Sequence, residues 1–285
     1  MAQSQNRRMC HEGRVARRHR SHTRLMTQVT VLNEVALHYR FRSGKGTPIV
    51  FLNSLGTDFR IWDQVIDGLD IDMPVLCIDK RGHGLSSDGM ISMTALVDDV
   101  ATLMDQLGMQ PALICGVSVG GMIAQGLAVD RPDLVAGMVL CCTGAKIGDA
   151  EGWNARIQAV EVQGIASMAE AILERWFSSE FIATRPAELA IYRNMLVRTS
   201  PIGYAGVCRA IRDTDFSAQS PQISVPTHCI AGSDDLATPP ALVKALASLI
   251  PNASYQVIPD CGHLPCIETP FLISDAIKQM HRTLT

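Results

Sequence analysis

Gly116-Val117-Ser118-Val119-Gly120-Gly121 is the stretch whose reading decides the fold. Ala112-Leu113-Ile114-Cys115 before it is a short apolar run suited to a buried parallel strand, and Met122 to Val129 after it read as a helix. A serine between the two, with glycine two before and two after, fits a strained strand-to-helix turn that exposes a nucleophilic hydroxyl. Glycine is needed on both sides because helix and strand pack too closely there for larger side chains.

A serine hydroxyl is a weak nucleophile until a base takes its proton and a carboxylate orients that base. Both partners should follow, in the order acid then histidine, in loops after later strands. Pro226–Ala231 reads as a strand followed by Gly232-Ser233-Asp234-Asp235. A helix from about Ala241 to Ile250 and a strand at Ser254–Ile258 then lead into Pro259-Asp260-Cys261-Gly262-His263. His263 is therefore the expected base. Asp234 and Asp235 compete for the acid position, and Asp235, three residues past Gly232, is preferred, with Asp234 left as a turn or cap residue. An oxyanion hole needs two donors. The Val119 N–H comes with the turn itself, and the second should lie after an early strand. Ile49–Leu52 is that strand, and Leu55 of Asn53-Ser54-Leu55-Gly56-Thr57 is the expected donor. Losing one such donor costs roughly 2.7–4 kcal/mol of transition-state stabilisation.

Further pieces carry a resemblance. They are Asn53–Asp58, Arg60-Ile61-Trp62-Asp63, Asp79-Lys80-Arg81-Gly82-His83-Gly84-Leu85-Ser86, Glu174-Arg175-Trp176-Phe177, Ala237-Thr238-Pro239-Pro240 and Gly262–Glu268. Together with the serine turn, from about Met26 to the C-terminus, they resemble the 3-oxoadipate enol-lactonases, α/β-hydrolases of the β-ketoadipate route of aromatic breakdown. Asn53-Ser54 stands where many relatives carry His-Gly, and this departure resembles the lactonases. The resemblance implies a carboxylate-bearing lactone as substrate, opened through an acyl-enzyme without metal or other cofactor. An arginine should then bind the substrate carboxylate in a fork. Arg60 and Arg81 are the candidates in the core, Arg81 with a competing role as partner of an aspartate, and Arg156 and Arg175 the candidates among the later helices. Trp153 and Trp176 are read as pocket-lining or anchoring residues, and His83 as a structural residue of its Gly-His-Gly turn. The same triad also serves other small esters and carbon–carbon bond hydrolysis, and hydrolase folds can act as ligand-binding receptors. Ser118 at the turn disfavours an aspartate-nucleophile dehalogenase or epoxide hydrolase.

The 285 residues, 47% of them hydrophobic, suit one hydrolase domain with an insertion. Nine cysteines form no scaffold spacing and read as reduced, mostly buried thiols of a cytoplasmic protein. No C-x-x-C pair occurs and the histidines lack metal-ligand spacing, so no metal is expected. Residues 1–25 hold seven arginines against one acid, Glu12, whereas the rest carries 18 basic and 27 acidic residues. This basic arm lacks an apolar signal core and is expected to be a disordered extension upstream of Met26. Nothing beyond it suggests nucleic-acid binding, and no run reaches membrane-spanning length. A homo-oligomer is compatible with this reading.

Alternation supplies the organisation. Val29–Val31 and Val35–Tyr39 read as an antiparallel pair, followed by strands at Ile49–Leu52, Val75–Ile78, Leu113–Gly116 and Val135–Cys142. The expected fold is α/β: a mostly parallel sheet with helices on both faces, built from residues 26–143 and 218–285. Between them, 144–217 lose the strand signals. Helical patterns at Trp153–Val162, Ser167–Phe177, Pro186–Val197 and Gly203–Ile211 suggest an inserted helical cap over the site.

Overall fold

Eight strands form a single sheet in the computed structural model, which describes residues 25–32, 34–69 and 72–284. The expectation for the Arg-rich arm falls on residues outside the described ones, apart from Leu25. The strands are β1 (Met26–Leu32), β2 (Val35–Arg42), β3 (Ile49–Leu52), β4 (Val75–Ile78), β5 (Ala112–Val117), β6 (Val135–Cys141), β7 (Thr227–Gly232) and β8 (Ala253–Ile258). Their spatial order is β1-β2-β4-β3-β5-β6-β7-β8. β2 runs antiparallel to β1 and to β4, and every other pairing is parallel. β3, β4 and β5 are buried at every position, as unbroken apolar runs covered on both faces must be.

Helices cover the sheet. In chain order they are α1 (Asp63–Leu69), α2 (Met93–Gln106), α3 (Val119–Asp130), α4 (Ala150–Gln163), α5 (Ala169–Trp176), α6 (Ser179–Thr184), α7 (Pro186–Val197), α8 (Pro201–Arg212), α9 (Pro240–Leu249), α10 (Pro265–Glu268) and α11 (Pro270–Thr283). Five of them, α4 to α8, are inserted between β6 and β7. The helix expected over Ser167–Phe177 is divided: a 3-10 turn at Ile165–Met168 precedes α5. A further short helix, α6, follows, started by the Ser178 hydroxyl accepting from Phe181 N–H. The strand expected to reach Cys142 stops at Cys141, because Cys142 turns to φ +47°.

The strand order gathers the loops of interest. β3 lies between β4 and β5, with Leu52 in register with Gly116, so the loops after β3 and β5 emerge side by side. β7 and β8 are neighbours with Gly232 opposite Ile258, which brings the Asp235 and His263 loops together. All four loops leave carboxyl ends of parallel strands, where open α/β sheets bind their ligands.

Candidate active site

Ser118 joins β5 to α3 with φ 59° and ψ −121°, a backbone conformation that costs a non-glycine residue on the order of 1–3 kcal/mol. The turn is held by Ser118 N–H donating to Cys141 O at 3.0 Å and Thr143 Oγ1 donating to Ser118 O at 2.7 Å. Its glycines are required by contact. A Cβ on Gly120 would sit 2.1 Å from Leu52 O, and one on Gly116 would sit 2.4 Å from Gly120 O.

Asp235 is the carboxylate that meets His263, at 2.9 Å from Oδ2 to Nδ1, with both residues about 2% exposed. Asp234 is exposed and accepts from Ser233 Oγ instead. Asp235 is fixed by three further donors, the N–H groups of Ala237 and Thr238 and the Thr238 hydroxyl, at 2.6–2.9 Å. Burial works to raise the Asp235 pKa, yet the His263 charge and the hydrogen bonds from His263 and Thr238 outweigh it and hold the carboxyl below its ordinary value. Thr238 was not among the residues the sequence singles out. Its only signal there is its place in the Ala237-Thr238-Pro239-Pro240 segment.

Glu268 is another such residue. Its carboxylate accepts from Gly262 N–H at 2.9 Å and from Ser178 Oγ at 2.5 Å, while His263 N–H donates to Trp176 O at 2.8 Å. These bonds fasten the His263 loop to the end of α5.

Val119 is the first residue of α3, so its N–H belongs to the first-turn amides that lack an intrahelical acceptor. Leu55 and Ser54 line the same cavity as Ser118 and His263, a space of about 320 Å³. The loop holding Leu55 is tied internally by Asn53 Nδ2 donating to Thr57 O at 2.6 Å and Thr57 Oγ1 donating to Ser54 O at 3.0 Å. His83 Nε2 accepts from Gly56 N–H at 2.9 Å while its Nδ1 faces Arg81 O at 3.2 Å. Burial and the Lys80 charge push the His83 pKa well below its ordinary value, which matches a neutral ring accepting at Nε2.

Trp153, Arg156, Arg175 and Trp176 close the cavity from the inserted helices. Trp153 Nε1 donates to Ile147 O at 2.6 Å, and the Arg156 guanidinium lies 5.4 Å from its ring centre. Neither Arg156 nor Arg175 has an ion-pair partner among the described residues. Burial and repulsion from Arg156 lower the Arg175 pKa. Two cations facing one cavity without a counter-ion favour an anionic ligand.

Arg60 and Arg81 require correction as carboxylate-binding candidates, because both guanidiniums are already engaged outside this cavity. Arg60 folds back on Asp58 through Nε and Nη2 and lines separate surface clefts. Arg81 is buried in a two-pronged pair with Asp99 of α2, at 2.5 and 2.7 Å.

Cys142, Asp235 and His263 place a thiol, a carboxylate and an imidazole within 4.8 Å of one another. Burial pushes the Cys142 thiol pKa well above its ordinary value, and the Asp235 oxygens are already occupied by four donors. The group thus suits acid–base work better than metal ligation. The eight described cysteines are all buried and unpaired. Among the described residues no helix is long and apolar enough to cross a membrane.

A strained serine turn beside a buried Asp–His pair, at the carboxyl edge of a mostly parallel sheet, defines a class of proteins: the chain belongs to the alpha/beta hydrolase fold family, whose model matches residues 47–270. Within that fold it belongs to the family of the 3-oxoadipate enol-lactonases. It is 34% identical to 3-oxoadipate enol-lactonase 2 of Acinetobacter baylyi over 248 residues, covering 86% of this chain and 92% of the relative. The solved enol-lactonase of Burkholderia xenovorans LB400 superposes with a TM-score of 0.86 at 34% identity, covering 89% of this chain and 99% of that one. Est816, described as an N-acyl homoserine lactone degrading enzyme, is also similar, with a TM-score of 0.78 at 29% identity over 88% of this chain and 99% of Est816.

Proposed function

We propose that this protein is a serine hydrolase that opens 3-oxoadipate enol-lactone to 3-oxoadipate. The observation that carries the reading is the conjunction, in one cavity, of Ser118 and His263 with two arginines that have no ion-pair partner among the described residues. The serine and histidine supply ester chemistry, and the arginines match a small lactone bearing a carboxylate. The similarity to two enol-lactonases over most of the chain supports the same substrate.

In this reaction His263 Nε2 removes the Ser118 proton as Oγ attacks the lactone carbonyl. The N–H groups of Leu55 and Val119 stabilise the tetrahedral oxyanion. Collapse breaks the bond between the acyl carbon and the ring oxygen. The enol oxygen leaves with the proton from His263, and the enol tautomerises to the ketone. The acyl group stays on Ser118 until His263 deprotonates a water that hydrolyses the ester. Asp235 stays ionised throughout, holding the imidazole tautomer and stabilising its cationic form. Residues 144–217 act as a cap whose Arg156 and Arg175 take the substrate carboxylate and whose Trp153 and Trp176 shape the pocket. Eight unpaired cysteines support a reducing, cytoplasmic setting.

The test is ring-opening of freshly generated 3-oxoadipate enol-lactone, followed by ultraviolet absorbance for wild type and Ser118→Ala. Turnover by the wild type that falls at least about 10⁴-fold in the variant is expected. Equal rates in the two proteins would remove Ser118 as nucleophile, and an inactive wild type would remove the substrate.

A further inference from the structure

Lys80 takes no part in the proton transfers above, yet it lies beneath them. It follows β4 and is 6% exposed. Among the described residues it makes no ion pair. Its ammonium donates instead to Ser54 O at 2.5 Å and, more weakly, to Thr57 O at 3.4 Å. Ser54 O belongs to the same peptide unit as the Leu55 N–H. In a planar trans peptide the C=O and N–H point in opposite directions, so a carbonyl drawn down to Lys80 turns the Leu55 N–H away from it. Ser54 and Leu55 line the cavity of Ser118 on that other side.

We propose that Lys80 is a positioning residue for the oxyanion hole: it holds the Ser54 carbonyl so that the Leu55 N–H is aimed at, and polarised toward, the reacting oxygen. This rests on the reading of Leu55 as an oxyanion donor. The polarisation has a direct physical basis. A cation on an amide oxygen draws electron density from the nitrogen and makes the N–H a stronger donor, and linked hydrogen bonds of this kind reinforce one another in a low dielectric. The next peptide is locked the other way, with Gly56 N–H on His83 Nε2, so the loop cannot rotate the Ser54–Leu55 unit without losing a buried bond on either side.

Stability alone does not account for the charge. Desolvation pushes the Lys80 pKa down to about 7, against the pull of Asp79 and Asp58. An apolar side chain of similar length would fill the space without that cost, and such replacements of buried ionic groups are often neutral or stabilising.

The test compares wild type with Lys80→Met on 3-oxoadipate enol-lactone and on p-nitrophenyl acetate, together with melting temperature. A fall in kcat of about 10- to 100-fold is expected, somewhat less than the roughly 10²–10³ for outright loss of one oxyanion donor. KM should stay within about threefold and the melting temperature should be equal or higher, a split that a merely structural lysine would not produce. A boronic acid that adds to Ser118 should lose affinity in step with kcat, while product affinity stays level. Retention of kcat within about threefold, or a loss carried by KM or by a lowered melting temperature, overturns the proposal. Should Lys80→Met not fold, Lys80→Gln, which keeps a donor but no charge, is judged by the same kcat and inhibitor criteria. A wild type inactive on both esters would instead overturn the oxyanion reading itself, whereas an active wild type with an unaffected Lys80→Met removes only the role of Lys80.

Discussion

The two walls of the catalytic cavity are built in opposite ways. On the sheet side, Ser118, Leu55, Asp235 and His263 are buried and held by bonds that leave little freedom. Asp235 alone accepts from four donors. On the inserted-helix side, Arg156 is only partly buried, Arg175 is exposed, and neither is tied to an acid among the described residues. The first wall keeps reacting atoms in place before substrate arrives, which is where electrostatic catalysis draws its advantage. The second is left under-satisfied in charge, as a site for the anionic substrate proposed above would be. In the proposed reaction, chemistry belongs to the rigid wall and selection to the unsatisfied one. Fastenings between them include Glu268 to Ser178 and His263 N–H to Trp176 O.

If the walls divide the labour in this way, damage to the first should lower kcat and damage to the second should raise KM. The largest effect after Ser118→Ala is expected for Asp235→Asn, which keeps the shape of the pair but fixes the wrong imidazole tautomer. A kcat loss of about 10⁴-fold with little change in KM is expected from steady-state rates. Arg156→Ala and Arg175→Ala should each lower kcat/KM for the enol-lactone by about 10- to 100-fold, mostly through KM, since each removes a charge-assisted contact to the carboxylate. The same variants should leave hydrolysis of uncharged p-nitrophenyl acetate within about threefold. An equal loss on both esters would erase the distinction between the walls.

The smallest effect concerns stability against pH. The folded-state pKa of Asp235 lies below its unfolded value, so its stabilisation is present above about 3.9 and is lost as pH falls through the folded value. The melting temperature of the wild type should therefore drop more steeply than that of Asp235→Asn as pH is lowered from about 5 to 3. Parallel curves would mean that the Asp235–His263 contact adds no acid-sensitive stability.

Much of the first wall was legible because its residues are constrained locally. Glycines at 116 and 120 answer to contacts with backbone only a few residues or one strand away, and that requirement writes itself into the sequence as a motif. The choice of Asp235 over Asp234 likewise followed from loop length after β7. The second wall was less legible. Arg60 and Arg81 sit next to the right loops in sequence, but their guanidiniums are committed to Asp58 and Asp99, and the reach of a long side chain depends on which carboxylate the fold brings near. Glu268 and Lys80 gave no sign of their contacts, because they bond to residues 90 and 26 positions away that meet them only in the folded protein, and Thr238, although its bond to Asp235 is local, was marked only by its place in the Ala237–Pro240 segment.

The sequence by itself determined the hydrolase sheet and marked Ser118, Asp235 and His263, in that order, as the candidate residues, since strand alternation and a glycine-bounded turn are local consequences of backbone sterics. Only the tertiary structure decided which arginines face the Ser118 cavity and what holds the Asn53–Thr57 loop. Those are questions of which charged groups end up neutralised by one another, and long-range packing settles them.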